Sequence, residues 1–285
     1  MDIIDLHTHS TASDGTLPPR ELTRLAAESG VSAIALTDHD SVEGLAEAAA
    51  AGDECGVEII RGCELSVTDG ARRLHILGLF LSERPTQLAR ELASLRDKRD
   101  NRNVIIIEKL QNLGIDITVE EVTALAGDAV GRPHIAQVLM AKGVVPNFQT
   151  CFEKYLGNKG MAYAPKDVLP IETAVALLRE EKATVVLAHP YLLGLKNRDL
   201  ETLVSRYKDM GLDAIEALYT DHSPSQTREY LALAQRLDLA VTGGSDFHGS
   251  IKPEVRLGVG KGKLRVPASL LTALKERRAS AGLPA

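Results

Sequence analysis

The chain has 285 residues, 44% hydrophobic and 25% charged, with 8 histidines, no tryptophan and a formal net charge of −6. That is the composition of a globular protein with one large domain, or one domain carrying an insertion; it argues against a broad phosphate-tracking surface but leaves room for a local basic pocket. No apolar run is long enough to cross a bilayer, the acidic start (Asp2, Asp5) is not a secretory signal, and the scattered Cys55, Cys63 and Cys151 read as reduced thiols of a cytoplasmic protein.

The predicted elements alternate. "DIIDLH" is a strand, and "LPPRELTRLAAESG" a helix with proline near its start and glycine at its end. "SAIALT" is a strand, "SVEGLAEAAAAGDECG" a helix, and "VEIIRGCEL" and "RRLHILGLF" are strands. The stretch 85–165 then reads as helices alone, among them "TQLARELASLRDKRDNRNVIIIEKLQNLG" and "RPHIAQVLMAKG". It is expected to be an insertion capping a body made of 1–84 and 166–285. The alternation resumes with "IETAVALLREEKA", "TVVLAHP", "DLETLVSRYKDMG", "LDAIEALYT", "SPSQTREYLALAQRLD" and "LAVTGGSD", and a helix follows Pro267. About seven short strands with helical crossovers predict a parallel α/β barrel or open sheet.

Barrel enzymes work at the C-terminal ends of their strands. Residues two apart on a strand share a face, so His7 and His9 in "LHTHS" point one way, and Asp246 and His248 in "GSDFH" repeat that spacing. "LTDHDS" supplies His39, "GCELS" supplies Glu64, "RRLHILGLF" carries His75, "TVVLAHP" ends in His189, "GRPH" carries His134, and Asp14 follows the first pair. Taken alone, His75 or His134 would pass for a core or helix-start histidine. The paired motifs do not, because imidazoles and carboxylates converging on one end suit a metal ion. His7, His9, Asp14, His39, Glu64, His75, His134, Asp246 and His248 are too many ligands for one ion, so two or three are expected. Manganese is favoured, zinc or iron also suit the mixed N/O set, and the two oxygens of Glu64 could bridge a pair.

These residues carry a resemblance. "DLHTHSTASDG", "LTDHD", "GCE", "AHP" and "GSDFH", in that order, resemble the PHP (polymerase and histidinol phosphatase) family, a relative of the amidohydrolases, over essentially the whole chain. The resemblance implies a distorted (β/α)7 barrel with a helical insertion after strand four and up to three metal ions. One ion would take His7, His9, Glu64 and Asp246, a second Glu64, His75 and His134, and a third Asp14, His39 and His248. The length, the insertion and "GRPHIAQVLMAKG" resemble the branch of nucleoside 3′,5′-bisphosphate phosphatases, also called RNase AM. That branch implies removal of the 3′-phosphate from compounds such as phosphoadenosine phosphate, and 5′-end trimming of short RNA.

Ester hydrolysis at phosphorus needs an activated water, neutralised phosphoryl oxygens and a stabilised leaving oxygen, all of which a multinuclear site can supply. Asp246 is expected to orient the water as well as ligate, and His189 to donate to the phosphate or act as general acid. His222 is a weaker candidate for the part given to His189, and a second phosphate needs its own cation: Arg132 first, then Arg99, Arg102 and Asn103 on the insertion helix. The competing view of "RDKRDNR" is a solvated face of local charge pairs. The expected partner is a small phosphorylated nucleotide or short RNA, with no membrane and no obligate protein partner. The rival readings are a histidinol-phosphate-type monophosphatase, a hydrolase acting at carbon, and a metal-stabilised binding scaffold without catalysis.

Overall fold

The computed structural model describes residues 2–126, 130–165 and 167–284. In chain order the elements are β1 (Ile3–Thr8), α1 (Pro19–Glu28), β2 (Val31–Leu36), α2 (Leu45–Cys55), β3 (Glu58–Thr68) and β4 (Arg73–Leu79). Next come α3 (Thr86–Asn112), α4 (Val119–Ala126), α5 (Arg132–Ala141) and α6 (Phe148–Cys151), the last running into a π-helical turn, Phe152–Leu156. The two-residue β5 (Leu169–Pro170) leads to α7 (Ile171–Glu180), β6 (Thr184–Leu187), α8 (Asn197–Met210), β7 (Ala214–Tyr219), α9 (Pro224–Arg236), β8 (Ala240–Gly244) and α10 (Ser269–Ser280). The expected boundary at 166 falls on a residue outside those described.

Seven strands pair in the order β1-β2-β3-β4-β6-β7-β8, with β5 against β3, and the sheet curls until its two edges meet. The His9 N–H donates to the Phe247 carbonyl (2.9 Å) and the Asp246 N–H to the His7 carbonyl (2.9 Å). This approach requires Gly244, where a Cβ would lie 2.4 Å from the His7 Cβ. The result is a nearly closed, distorted (β/α)7 barrel. It is not wholly parallel: β4 runs antiparallel to both β3 and β6. The cause is the short connection, a turn in which the Asp69 carboxylate caps the N–H groups of Ala71 and Arg72. Too few residues separate β3 from β4 for the crossover that a parallel pair needs. The reversal has a consequence for the site, because it places the first residues of β4, His75 among them, at the end of the barrel where the parallel strands finish.

Helices cover the outside of the sheet through Leu22, Ala26, Ile34, Leu36, Leu178, Leu203 and Tyr207. A second cluster holds Ile4, Leu6, Ala33, Leu77, Leu79 and Val186 together with Val266, Leu271 and Leu274. There the Ile4 N–H donates to Val266 O (3.0 Å), so the C-terminal segment packs at the start of β1, away from the histidines. The helices between β4 and β5 have a core of their own, built from Ile106, Leu110, Ile135, Leu139, Cys151 and Leu156.

Candidate metal centre

Glu64, fully buried in β3, organises the site. Its Oε2 lies 3.1 Å from His7 Nε2, 3.2 Å from His9 Nε2 and 3.1 Å from His39 Nδ1. Its Oε1 lies 2.8 Å from His75 Nδ1 and 2.9 Å from His189 Nε2. Asp246 Oδ1 completes one side at 3.2 Å from His9 Nε2 and 3.6 Å from His7 Nε2. Three groups of ligand atoms converge: His7, His9, Glu64 and Asp246; His9, Asp14, His39 and His248; and His39, Glu64 and His75. His7 and His9 thus share the face that their spacing predicted.

These residues fit divalent ions. Both ring nitrogens of His9, and Nδ1 of His39, are buried without a hydrogen-bond partner. His9 Nε2 is near two carboxylates yet has hydrogen-bond geometry to neither, as expected of a lone pair aimed between its neighbours. Burial opposes ionisation of Glu64 and Asp246, but the surrounding imidazoles win, with Lys252 helping at Asp246, and hold both well below the ordinary carboxylate range. Burial pulls His39 down to about 3, and it works against His9 as well, yet Asp246 and Glu64 push His9 up to about 9. The centre therefore offers ionised carboxylates to a cation, and an ion bound there would take the place of the proton that they hold on His9.

A second layer orients the ligands, as second layers do at metal sites. His7 Nδ1 donates to Glu216 Oε1 (3.0 Å), which leaves Nε2 for the centre. The other oxygen of Glu216 accepts from the His189 N–H at 2.7 Å. His248 Nδ1 donates to the Asp246 carbonyl (2.8 Å) and turns its Nε2 toward Asp14. Asp246 Oδ2 accepts from the Tyr219 hydroxyl and from Lys252 Nζ, each at 2.7 Å, so Oδ1 is the oxygen facing the histidines. His189 (φ 26°) and Asp246 (φ 56°) sit in backbone conformations that non-glycine residues rarely adopt, held there by these bonds. Glu216, Tyr219 and Lys252 were not anticipated from sequence. The one signal was a carboxylate, Glu216, in the middle of the apolar "LDAIEALYT".

Three expected site residues lie apart from the converging groups and the pocket contacts expected of them. Among the described residues no converging group includes His134. Its Nδ1 accepts from the Gly131 N–H (3.1 Å) at the start of α5, and burial lowers its pKa, with Asp14 opposing. His189, which like His134 is in none of the converging groups, is the further imidazole beside them, 2.9 Å from Glu64 Oε1 and 3.3 Å from His75 Nδ1. Asn103 is already occupied: its amide donates to Val130 O (3.0 Å) and its oxygen accepts from Arg102 (3.2 Å). His222 is removed from the pocket, donating to the Ala217 carbonyl and packing on Tyr191, Tyr219 and Tyr230.

The arginines come together. A cavity of about 250 Å³ is bounded by Asp14, His39 and His75 on one side and by Arg99, Arg102 and Arg132 on another. Burial and the neighbouring guanidiniums of Arg132, Arg99 and Arg73 push Arg102 down to about 10. The Nε atoms of Arg99 and Arg102 are buried without a partner. Crowded cations with unused donors, opening onto the metal centre, are arranged for an anion.

Comparison with known proteins agrees. The family model for the PHP domain matches residues 5–161. A 5′-3′ exoribonuclease of Haemophilus influenzae is 34% identical over 244 residues, covering 86% of this chain and 89% of its own. The 3′,5′-nucleoside bisphosphate phosphatase of Chromobacterium violaceum is 32% identical over 260 residues, covering 87% and 88%. A solved structure from Bifidobacterium adolescentis, described as a metal-dependent phosphoesterase, superposes with a TM-score of 0.86 at 28% identity over 97% of this chain and 96% of that one. Fold and site together define a metal-dependent phosphoesterase, a hydrolase whose histidine and carboxylate clusters provide for several metal ions. The chain belongs to the PHP family.

Proposed function

We propose that the protein removes the 3′-phosphate from nucleoside 3′,5′-bisphosphates such as phosphoadenosine phosphate, giving the nucleoside 5′-monophosphate and phosphate. The observation that carries this reading is the arginine-lined cavity sharing walls with the metal centre. One phosphate would lie at Glu64 and its histidines, and the second would be held by Arg99, Arg102 and Arg132. A simple monophosphatase has no use for the second station.

Divalent ions, manganese by preference, would acidify the attacking water and neutralise the phosphoryl oxygens. His7, His9, Glu64 and Asp246 would form the first set, Glu64, His75 and His189 the second, and Asp14, His39 and His248 the third. Asp246, its Oδ2 fixed by Tyr219 and Lys252, would also orient the water with Oδ1. In this reading 85–165 acts as a cap that brings the arginines of α3 and α5 over the centre. The free thiols of Cys55, Cys63 and Cys151 support a cytoplasmic location. No helix among the described residues is long and apolar enough to cross a membrane.

The same two stations accommodate the 5′ end of an RNA. A 5′-phosphate in the arginine cavity would set the first internucleotide phosphate where the 3′-phosphate of a bisphosphate lies, so 5′-end trimming of short RNA fits as a second activity. The test compares a nucleoside 3′,5′-bisphosphate with the matching 3′-monophosphate. A charge-assisted contact is worth roughly 1.5–3 kcal/mol, so the monophosphate should lose about ten- to a hundredfold in kcat/KM. Arg132→Ala should show a similar loss on the bisphosphate and little on the monophosphate. Equal efficiency on both substrates in the wild-type protein would overturn the reading.

A further inference from the structure

Beside the arginine cavity lies a smaller one of about 80 Å³, lined by Arg73, Leu74, His75, Ala188, His189, Leu192 and Leu193. The two cavities have Arg73, Leu74 and His75 in common, so the first residues of β4 form a wall between them. One adds Arg99, Arg102 and Arg132; the other, apart from the shared Arg73, is lined by Leu74, Ala188, Leu192 and Leu193 and has His75 and His189 of the metal centre at its side. We propose that this notch is the nucleobase subsite, in which Leu192 takes the face of the base on the nucleotide being hydrolysed. The inference rests on the bisphosphatase reading and adds to it what holds the base.

Leu192 is 61% exposed, the most exposed of the large hydrophobic residues among those described. Its position is tightly determined. A turn of 3₁₀-helix, Pro190–Leu193, starts directly from His189, and the Leu192 N–H donates to the His189 carbonyl at 3.1 Å. The turn closes where the Gly194 N–H donates to Tyr191 O (3.1 Å), with Gly194 at φ 65°. Leu193 packs inward against the main core, while Leu192 is left in solvent three residues from a proposed ligand. An aliphatic side chain presented by a hydrogen-bonded turn at the rim of a polar site offers a surface for a flat apolar group. In a nucleoside bisphosphate the base is that group, both phosphates being claimed by the ions and the arginines. The notch has no side-chain amide or hydroxyl to read a base edge, and its one guanidinium, Arg73, stands in the wall shared with the arginine cavity, so contact is with the face and all four bases are accepted nearly alike.

The test uses the whole metal-loaded protein, adenosine and uridine 3′,5′-bisphosphates, and ribose 3,5-bisphosphate, which lacks a base. In the wild type the two nucleotides should agree within about threefold, and the ribose compound should fall about tenfold below them, mainly through KM, as for a contact made equally in ground and transition states. Leu192→Ala should lower kcat/KM about tenfold on the nucleotides and leave the ribose compound unchanged, and Leu192→Phe should keep the nucleotide activity. Loss of equal size on all three substrates would mean that the variant disturbs His189 and would overturn the subsite. So would a variant with no loss, or a wild type that ignores the missing base. A wild type that senses the base but treats 3′-mono- and 3′,5′-bisphosphates alike would sink the bisphosphatase reading and leave the notch standing.

Discussion

Replacing Glu64 by glutamine is the sharpest perturbation of the centre. The amide is isosteric but uncharged, and one of its two polar atoms becomes a donor. In the native protein Oε2 faces three imidazole nitrogens at 3.1–3.2 Å and Oε1 faces two at 2.8 and 2.9 Å. Whichever way the amide turns, at least two imidazoles lose a carboxylate oxygen. Each charge-assisted contact is worth about 1.5–3 kcal/mol, and removing one member of a buried charge cluster costs about 3–5 kcal/mol in all. At 1.4 kcal/mol per decade, metal affinity should fall by roughly a hundred- to several-thousandfold. The assay is metal content by mass spectrometry after desalting from manganese, paired with phosphate release and with thermal melts in the presence and absence of the ion. The variant should retain less metal than the wild type, lose most of the manganese-dependent rise in melting temperature, and slow by at least about a hundredfold. Undiminished metal content with near-normal turnover would refute the idea that Glu64 joins the sets.

Chelation should abolish phosphate release and readdition of a divalent ion should restore it; turnover by metal-stripped protein would contradict the multinuclear site. His189→Ala should lower metal content and rate together, whereas His134→Gln should keep its metal; equal metal loss in both would return His134 to the ligand set. Tyr219→Phe removes one of the two 2.7 Å donors to Asp246 Oδ2 and leaves Lys252 in place. It should slow kcat by about three- to tenfold at unchanged metal content, a contact to a charged group being worth roughly 1.5–3 kcal/mol when nothing compensates. An unaltered kcat would show that Lys252 alone positions the carboxylate.

What sequence reveals here depends on how local the cause is. The pair His7/His9 is legible because alternation along an extended segment is a short-range matter, and Asp246/His248 because it follows an apolar run directly; that β8 closes on β1 and brings the two pairs together is long-range, hinted at only by the "GG" before Ser245 that permits the close approach. The direction of β4 was also legible in principle: "TDG" between two strand-like runs is a turn signal, and a connection that short cannot carry a crossover. The arginines of α3 and α5 were legible as candidates, though not as one pocket, since their meeting depends on how the insertion helices fold over the barrel.

The exchange of His134 for His189 has a different origin. Both residues stand next to a proline and both can be drawn at the mouth of a barrel. Which one meets His75 is decided by sheet order. β6 pairs with β4 although a long run of helices separates them in sequence, and the Ala188 N–H donates to the His75 carbonyl at 3.2 Å. That pairing carries His189 beside His75 and onto Glu64. His134 takes the alternative course open to a histidine at a helix start: its Nδ1 satisfies a backbone N–H that the first turn would leave unpaired. Glu216 shows the same dependence on distant pairing. Within β7 it is a buried acid with no visible partner, and only β7's place next to β6, and across the barrel mouth from β1, supplies the His7 ring and the His189 N–H that it binds. Spacing within a strand therefore identifies which residues can ligate, whereas the order of strands in the sheet decides which of them share an ion.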